Sequence, residues 1–305
     1  MSKMHVRTFS FALLSFVLLK AQAALAVLSE NHDVWRVDIR PVAQLNVSEQ
    51  NFPLLKYYRW ENSRWQPSDA ETFFDTQCAE IPLTIFAPGY SLTTLETTRV
   101  GLGIVRTFDP DKPCRVVLWD WFSDKTALNI RRIRRDIRSK IPVANNTADY
   151  LALFLQKLEP QSKVCLFGFS FGCRIACQAV ETLRRNGQQP EGLRLHLVLS
   201  GAATDQGWFA QGQRHSKVPE IAEKILVTYN PDDWVLRFYP LMYHLRCKPA
   251  ALGFSGVPMK GIPAEYRNRF ENINVEPYIG DEHETLYHVR TPVFQSRINS
   301  YFFFE

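Results

Sequence analysis

Five short apolar runs punctuate the chain, at Ile81–Phe86, Arg115–Leu118, Val164–Phe167, Leu193–Leu199 and Ile225–Tyr229. They are rich in β-branched residues and do not alternate strictly, the pattern of strands covered on both faces. Helical patterns separate them. Ile130, Ile133, Ile137 and Ile141 recur at helical spacing with Arg131, Arg132, Arg134, Arg135 and Arg138 on the other side, and Pro142 is expected to stop that helix. Thr147 is suited to cap the next, which carries Leu151, Phe154, Leu155 and Leu158. A third helix is expected after Ser170, through Ile175, Ala176, Ala179, Val180 and Leu183, with Gly187 as its stop. Alternating strands and helices predict an α/β fold, a mostly parallel sheet with helices on both faces. Val34–Ile39 and Leu54–Trp60 read as strands ahead of it, and Glu61-Asn62-Ser63 turns into Trp65 as an N-terminal antiparallel hairpin. Asn274–Ile279 reads as the last strand.

The first residues have a different grammar. Lys3, His5 and Arg7 precede the apolar run Phe9–Leu19, and Ala21-Gln22-Ala23 and Ala24-Leu25-Ala26 offer small-x-small cleavage sites. This predicts a signal peptide over 1–26 and export to a periplasm or the exterior. The alternative is an uncleaved anchor reaching Leu28, which would place Lys20 and Gln22 in hydrocarbon. Residues 27–305 contain no internal repeat and read as one domain. An apolar share of 46% supports a sizeable core, and a net charge of +5 falls short of a nucleic-acid footprint. The six cysteines are too sparse for a disulfide scaffold and are not spaced as a zinc site. No cofactor or metal is called for.

Val164-Cys165-Leu166-Phe167 leads into Gly168-Phe169-Ser170-Phe171-Gly172 and then directly into a helix. A strand-to-helix turn this sharp strains its central residue, needs glycines beside it, and lifts the serine oxygen to the helix N-terminus. Ser170 is therefore the candidate nucleophile. With Asp120-Trp121 ending an earlier apolar run, Arg115 to Gly187 resembles the corresponding stretch of animal-type lipases and related bacterial α/β-hydrolases. The family usually has His where this chain has Phe169.

The resemblance implies an α/β-hydrolase fold and a Ser-His-Asp triad in which the acid, then the histidine, follow the serine. It places the acid in Asn230-Pro231-Asp232-Asp233 after the strand Ile225–Tyr229, which selects Asp233 with Asp232 as the close alternative. Animal lipases take their acid from the preceding strand, but the matching positions here, Ser200 and Gly201, carry no carboxylate. Among seven histidines, His283 follows the last expected strand in Gly280-Asp281-Glu282-His283, and is the expected base; His288 is the runner-up. His32, His196, His215 and His244 occupy other positions. The oxyanion donors implied are the backbone N–H groups of Phe171 and of Tyr90, in Ala87-Pro88-Gly89-Tyr90, where the family commonly has His-Gly.

If the strand order follows the family, Cys78 and Cys114 start neighbouring strands and a disulfide between them is geometrically plausible. The arginine-rich helix is expected to be a solvated face, with docking on anionic lipid or polysaccharide as the alternative. Gly201–Lys224 leaves room for one short lid helix, with Trp208 and Phe209 as pocket-lining candidates. These features together lead us to expect a serine hydrolase of small acyl substrates, chiefly carboxylic esters. A decayed binding protein on the same fold and a peptidase are the alternatives.

Overall fold

The structure is a computed structural model and describes residues 28–124, 130–243 and 249–305, with the backbone alone for 130–133. The expected leader, His244, Cys247 and the side chains of Ile130, Arg131, Arg132 and Ile133 lie outside the described residues. In chain order the strands are β1 (His32–Asp38), β2 (Lys56–Glu61), β3 (Arg64–Ser68), β4 (Leu83–Ala87), β5 (Cys114–Asp120), β6 (Lys163–Phe169), β7 (Arg194–Ser200), β8 (Ala222–Tyr229) and β9 (Phe270–Asn274). The helices are α1 (Ala70–Asp75), α2 (Thr94–Val105), α3 (Ile130–Gln156), α4 (Phe171–Asn186), α5 (Val218–Ile221), α6 (Tyr239–Tyr243), α7 (Leu252–Ser255), α8 (Glu276–Ile279), α9 (Thr285–Val289), α10 (Pro292–Gln295) and α11 (Ile298–Phe302).

All nine strands form one sheet in the order β3-β2-β1-β5-β4-β6-β7-β8-β9. β1–β2 and β2–β3 are antiparallel, and every other pairing is parallel. The hairpin between β2 and β3 turns on Asn62 and Ser63, both at positive φ (50° and 61°), the backbone that lets a two-residue turn follow the strands' twist. Central strands are buried on both faces, β4 and β5 at every residue, which explains their continuous apolar runs. One face packs α3 and α4 over Leu166, Leu197 and Val227. The other packs α2 and the C-terminal helices over Phe86, Phe167 and Val198. Serial crossovers bring β4 to β9 to a common C-terminal edge, where loops from many parts of the chain meet.

Three expectations are corrected. Pro142 does not end a helix: α3 runs through it, and Thr147 lies inside, buried, rather than capping anything. Proline costs an interior helix roughly 3 kcal/mol, while Leu151, Phe154 and Leu155, all buried beyond it, contribute about 1.5–3 kcal/mol each. Burial wins. The last strand is Phe270–Asn274, ahead of the expected Asn274–Ile279, because the Asn274 side chain accepts from the Glu276 N–H and Pro277 fits the start of a helical turn, α8. Cys78 and Cys114 are both free thiols, the first exposed and the second buried, although their strands do neighbour each other. The arginine-rich face is also not simply solvated. Asp136 and Lys140 are buried on it, Lys140 over the Phe122 ring, and Arg138 donates to the Met242 carbonyl. Sequence inspection missed α2, although Thr93-x-x-Glu96 forms a complete capping box at its start.

Candidate active site

Ser170 ends the turn between β6 and α4 with φ 50° and ψ −114°, a strained backbone for a non-glycine residue. Three hydrogen bonds hold it there: its N–H donates to the Ser200 carbonyl (2.9 Å), and its carbonyl accepts from Ala203 (3.1 Å) and Cys173 (3.2 Å). The flanking glycines are required by space. A Cβ at Gly172 would lie 1.9 Å from the Ala87 carbonyl oxygen, and one at Gly168 would lie 2.6 Å from the Cys173 Cα. Both obstacles are backbone and cannot rotate away. Gly172→Ala should therefore destabilise the fold by about 3 kcal/mol or more. A urea midpoint equal to that of the parent protein would show this packing account to be wrong.

His283 reaches Ser170 from the loop beyond β9. Its Nε2 is 3.0 Å from Ser170 Oγ, and its Nδ1 is 2.5 Å from Asp233 Oδ2. Asp233 is fully buried, and its other oxygen accepts from the Val235 (2.9 Å) and Leu236 (2.8 Å) N–H groups. Asp232 is exposed, and its N–H donates to Asn230 Oδ1 (2.9 Å). The turn thus aims Asp233, not its neighbour, at the imidazole. Sequence inspection missed Asn230: this buried side chain donates to the Gly280 carbonyl (2.7 Å) and ties the acid's loop to the histidine's. A second tie runs from the Trp234 N–H to the Asp281 carbonyl (3.2 Å). No periodicity marks such a residue; only its place in a strand-ending Asx turn hints at it.

His288, the runner-up, does not meet Ser170. It is fully buried behind Phe169, bonded through Nδ1 to Thr228 Oγ1 (3.0 Å), and Thr228 in turn pairs with Ser200 Oγ (2.7 Å). Burial and the adjacent His283 push His288 down to about 3. Phe169 fills the space between the two imidazoles, its ring 5.0 Å from His283 and 5.5 Å from His288. His32 bonds the Asp109 carbonyl, His196 the Tyr301 carbonyl, and His215 is buried near Trp208.

The loop after β4 presses against the nucleophile: a Cβ at Gly89 would lie 3.2 Å from Ser170 Cβ. Trp121 fixes both expected oxyanion donors. Its indole N–H donates to the Pro88 carbonyl (2.9 Å), and its ring stacks on Phe171 with centroids 5.7 Å apart. Tyr90 is anchored through its hydroxyl to Asp136. Among the described residues, neither the Phe171 nor the Tyr90 N–H is bonded to a backbone carbonyl. Of the pocket candidates, Trp208 is half-buried beside Arg174, whereas Phe209 packs into the core against Phe270 and lines no cleft. Cover over the edge comes mainly from the long β8–β9 connection with α6 and α7, and less from Gly201–Lys224, where the only helix is the four-residue α5.

A nine-stranded sheet in this order, with a strained serine between its β6 and the following helix and a histidine beyond its last strand, decides the architecture. The chain has the α/β-hydrolase fold. No family model and no curated protein matches the chain. Solved structures that align with it include a bacterial heroin esterase, 12% identical over 95% of this chain and 88% of that one, with a TM-score of 0.47. A dienelactone hydrolase-like promiscuous phosphotriesterase from metagenomic libraries is 14% identical over 80% and 87%, with a TM-score of 0.39. A lidless α/β serine hydrolase from Xanthomonas campestris is 12% identical over 90% and 95%, with a TM-score of 0.36. The resemblance to α/β-hydrolases is a distant one.

Proposed function

We propose that this protein is a serine hydrolase of carboxylic esters or related acyl compounds, working through Ser170, His283 and Asp233. The observation that carries this reading is the continuous chain of contacts from Ser170 Oγ through both nitrogens of His283 to a buried carboxylate. A serine hydroxyl is a weak nucleophile until a base takes its proton, and a base works best when a third group fixes its tautomer. Ser170 Oγ attacks the ester carbonyl as its proton passes to His283 Nε2. The carbonyl electron pair moves onto oxygen, where the N–H groups of Phe171 and Tyr90 receive it. Collapse expels the alkoxide, which takes the proton from His283, and leaves an acyl-enzyme. Water, deprotonated by the same imidazole, then releases the acid and restores Ser170.

A fluorophosphonate probe tests this reading directly. Covalent labelling is expected in the parent protein and should vanish in Ser170→Ala; a folded parent protein that stays unlabelled would refute it. The leader grammar of residues 1–26 further supports export. N-terminal sequencing of protein recovered from cells is expected to begin after Ala23 or Ala26, and a chain still starting at its first residues would overturn that part.

A further inference from the structure

Arg174 lies one helical turn after Ser170 on α4 and is 95% buried, with 5% of its surface accessible. Side chains on a helix lean toward its N-terminus, so this guanidinium lies beside the turn that holds Ser170 and Phe171. Only its Nε is bonded, to Asn145 Oδ1 (3.3 Å). The same amide oxygen accepts from Arg214 (3.2 Å), and both guanidinium groups stack over the Trp208 ring, at 5.0 and 5.3 Å. Among the described residues no carboxylate comes within ion-pair distance of either arginine. Burial and the nearby Arg214 lower Arg174 to about 10, so it remains a cation at neutral pH. Adjacent His215 is fully buried with neither ring nitrogen bonded, and burial beside these arginines keeps it neutral. Two cations are thus withdrawn from water around one shared neutral acceptor, a costly arrangement with no protein anion to offset it.

The pair is on the acyl side of the serine. His283, which must return a proton to the leaving group, packs on Phe169 and the sheet face that carries α2. Arg174 is on the opposite face with α3 and α4, reached past Phe171 and Tyr243, whose rings are 6.0 Å apart. Arginine's planar fork matches a carboxylate, and its two Nη groups have no protein partner.

We propose that Arg174, supported by Arg214, is a subsite for a carboxylate on the acyl part of the substrate, so that the preferred substrates are monoesters of short dicarboxylic acids. This rests on the esterase reading above. The test compares kcat/KM for mono-4-nitrophenyl glutarate and 4-nitrophenyl pentanoate, which share the same acyl length. The parent protein is expected to favour the glutarate ester by about 10- to 100-fold, and raised salt should shrink that preference. Arg174→Met should lower the glutarate value at least ten-fold more than the pentanoate value, with Arg174→Lys between the two. A purely structural arginine would depress both substrates alike. Should the variant not fold, inhibition of the parent protein serves instead: glutarate should compete with pentanoate hydrolysis far better than pentanoate itself does. Hydrolysis of both esters without preference, or equally weak inhibition by both acids, overturns the subsite and leaves the esterase reading standing. Hydrolysis of neither overturns both.

Discussion

Asp233→Asn is expected to lower kcat on a neutral nitrophenyl ester by about four orders of magnitude while the protein stays folded. Asp233 uses one oxygen to accept the Val235 and Leu236 N–H groups and the other to face His283 Nδ1. An asparagine keeps the first set with its carbonyl, so its NH2 is turned toward the imidazole. His283 must then accept at Nδ1 and carry its proton on Nε2, the atom that faces Ser170. A protonated Nε2 accepts nothing from the serine, and the base is gone. Ser170→Ala should cost still more, about a million-fold in kcat. Asp232→Asn is the internal control, because that side chain is exposed and meets no part of the triad, and its kcat should fall within about three-fold of the parent. Near-parental turnover in Asp233→Asn, or a comparable loss in Asp232→Asn, would show that the acid has been misassigned.

Acid should destabilise the fold well before carboxylates titrate. His288 is buried and neutral with a pKa near 3, whereas an unfolded histidine titrates near 6.5. Between those values the unfolded chain binds a proton that the native state refuses, so stability rises with pH across that window and is lost as pH falls. At pH 5 His288 alone removes about 2 kcal/mol relative to pH 8. His215 and His196 are also buried, with desolvation lowering both, so they act in the same direction. A total of 5–15 kcal/mol is typical for a folded domain, which makes the combined loss a large fraction. Thermal melts at pH 8 and pH 5 should differ by 5 °C or more, and His288→Gln should flatten the dependence. Equal melting temperatures across that range would mean that these imidazoles are solvated or charged in the native state.

Much of the site is legible in local chemistry. Gly168 and Gly172 around Ser170 declare the elbow because no side chain fits where the β4 backbone passes, and that constraint is written into neighbouring positions. The continuous apolar runs declare buried parallel strands for a similarly local reason. Other assignments needed the folded chain. Asp232 and Asp233 share a turn and a charge, and only the hydrogen bonds of that turn decide which of them is buried facing His283. His283 and His288 are five residues apart, and packing behind Phe169 turns one inward while the other meets the serine. Pro142 reads as a helix stop until the buried stripe beyond it is weighed.

The order of residues alone therefore determined the layered architecture, the nucleophile and the short segments from which acid and base had to come, since each depends on contacts within a few positions. Tertiary structure decided which carboxylate and which imidazole converge, what Asn230 holds together, and that Arg174 and Arg214 share Asn145 despite lying far apart along the chain. Burial and hydrogen-bond direction arise only when distant segments close on each other, and no local pattern encodes them.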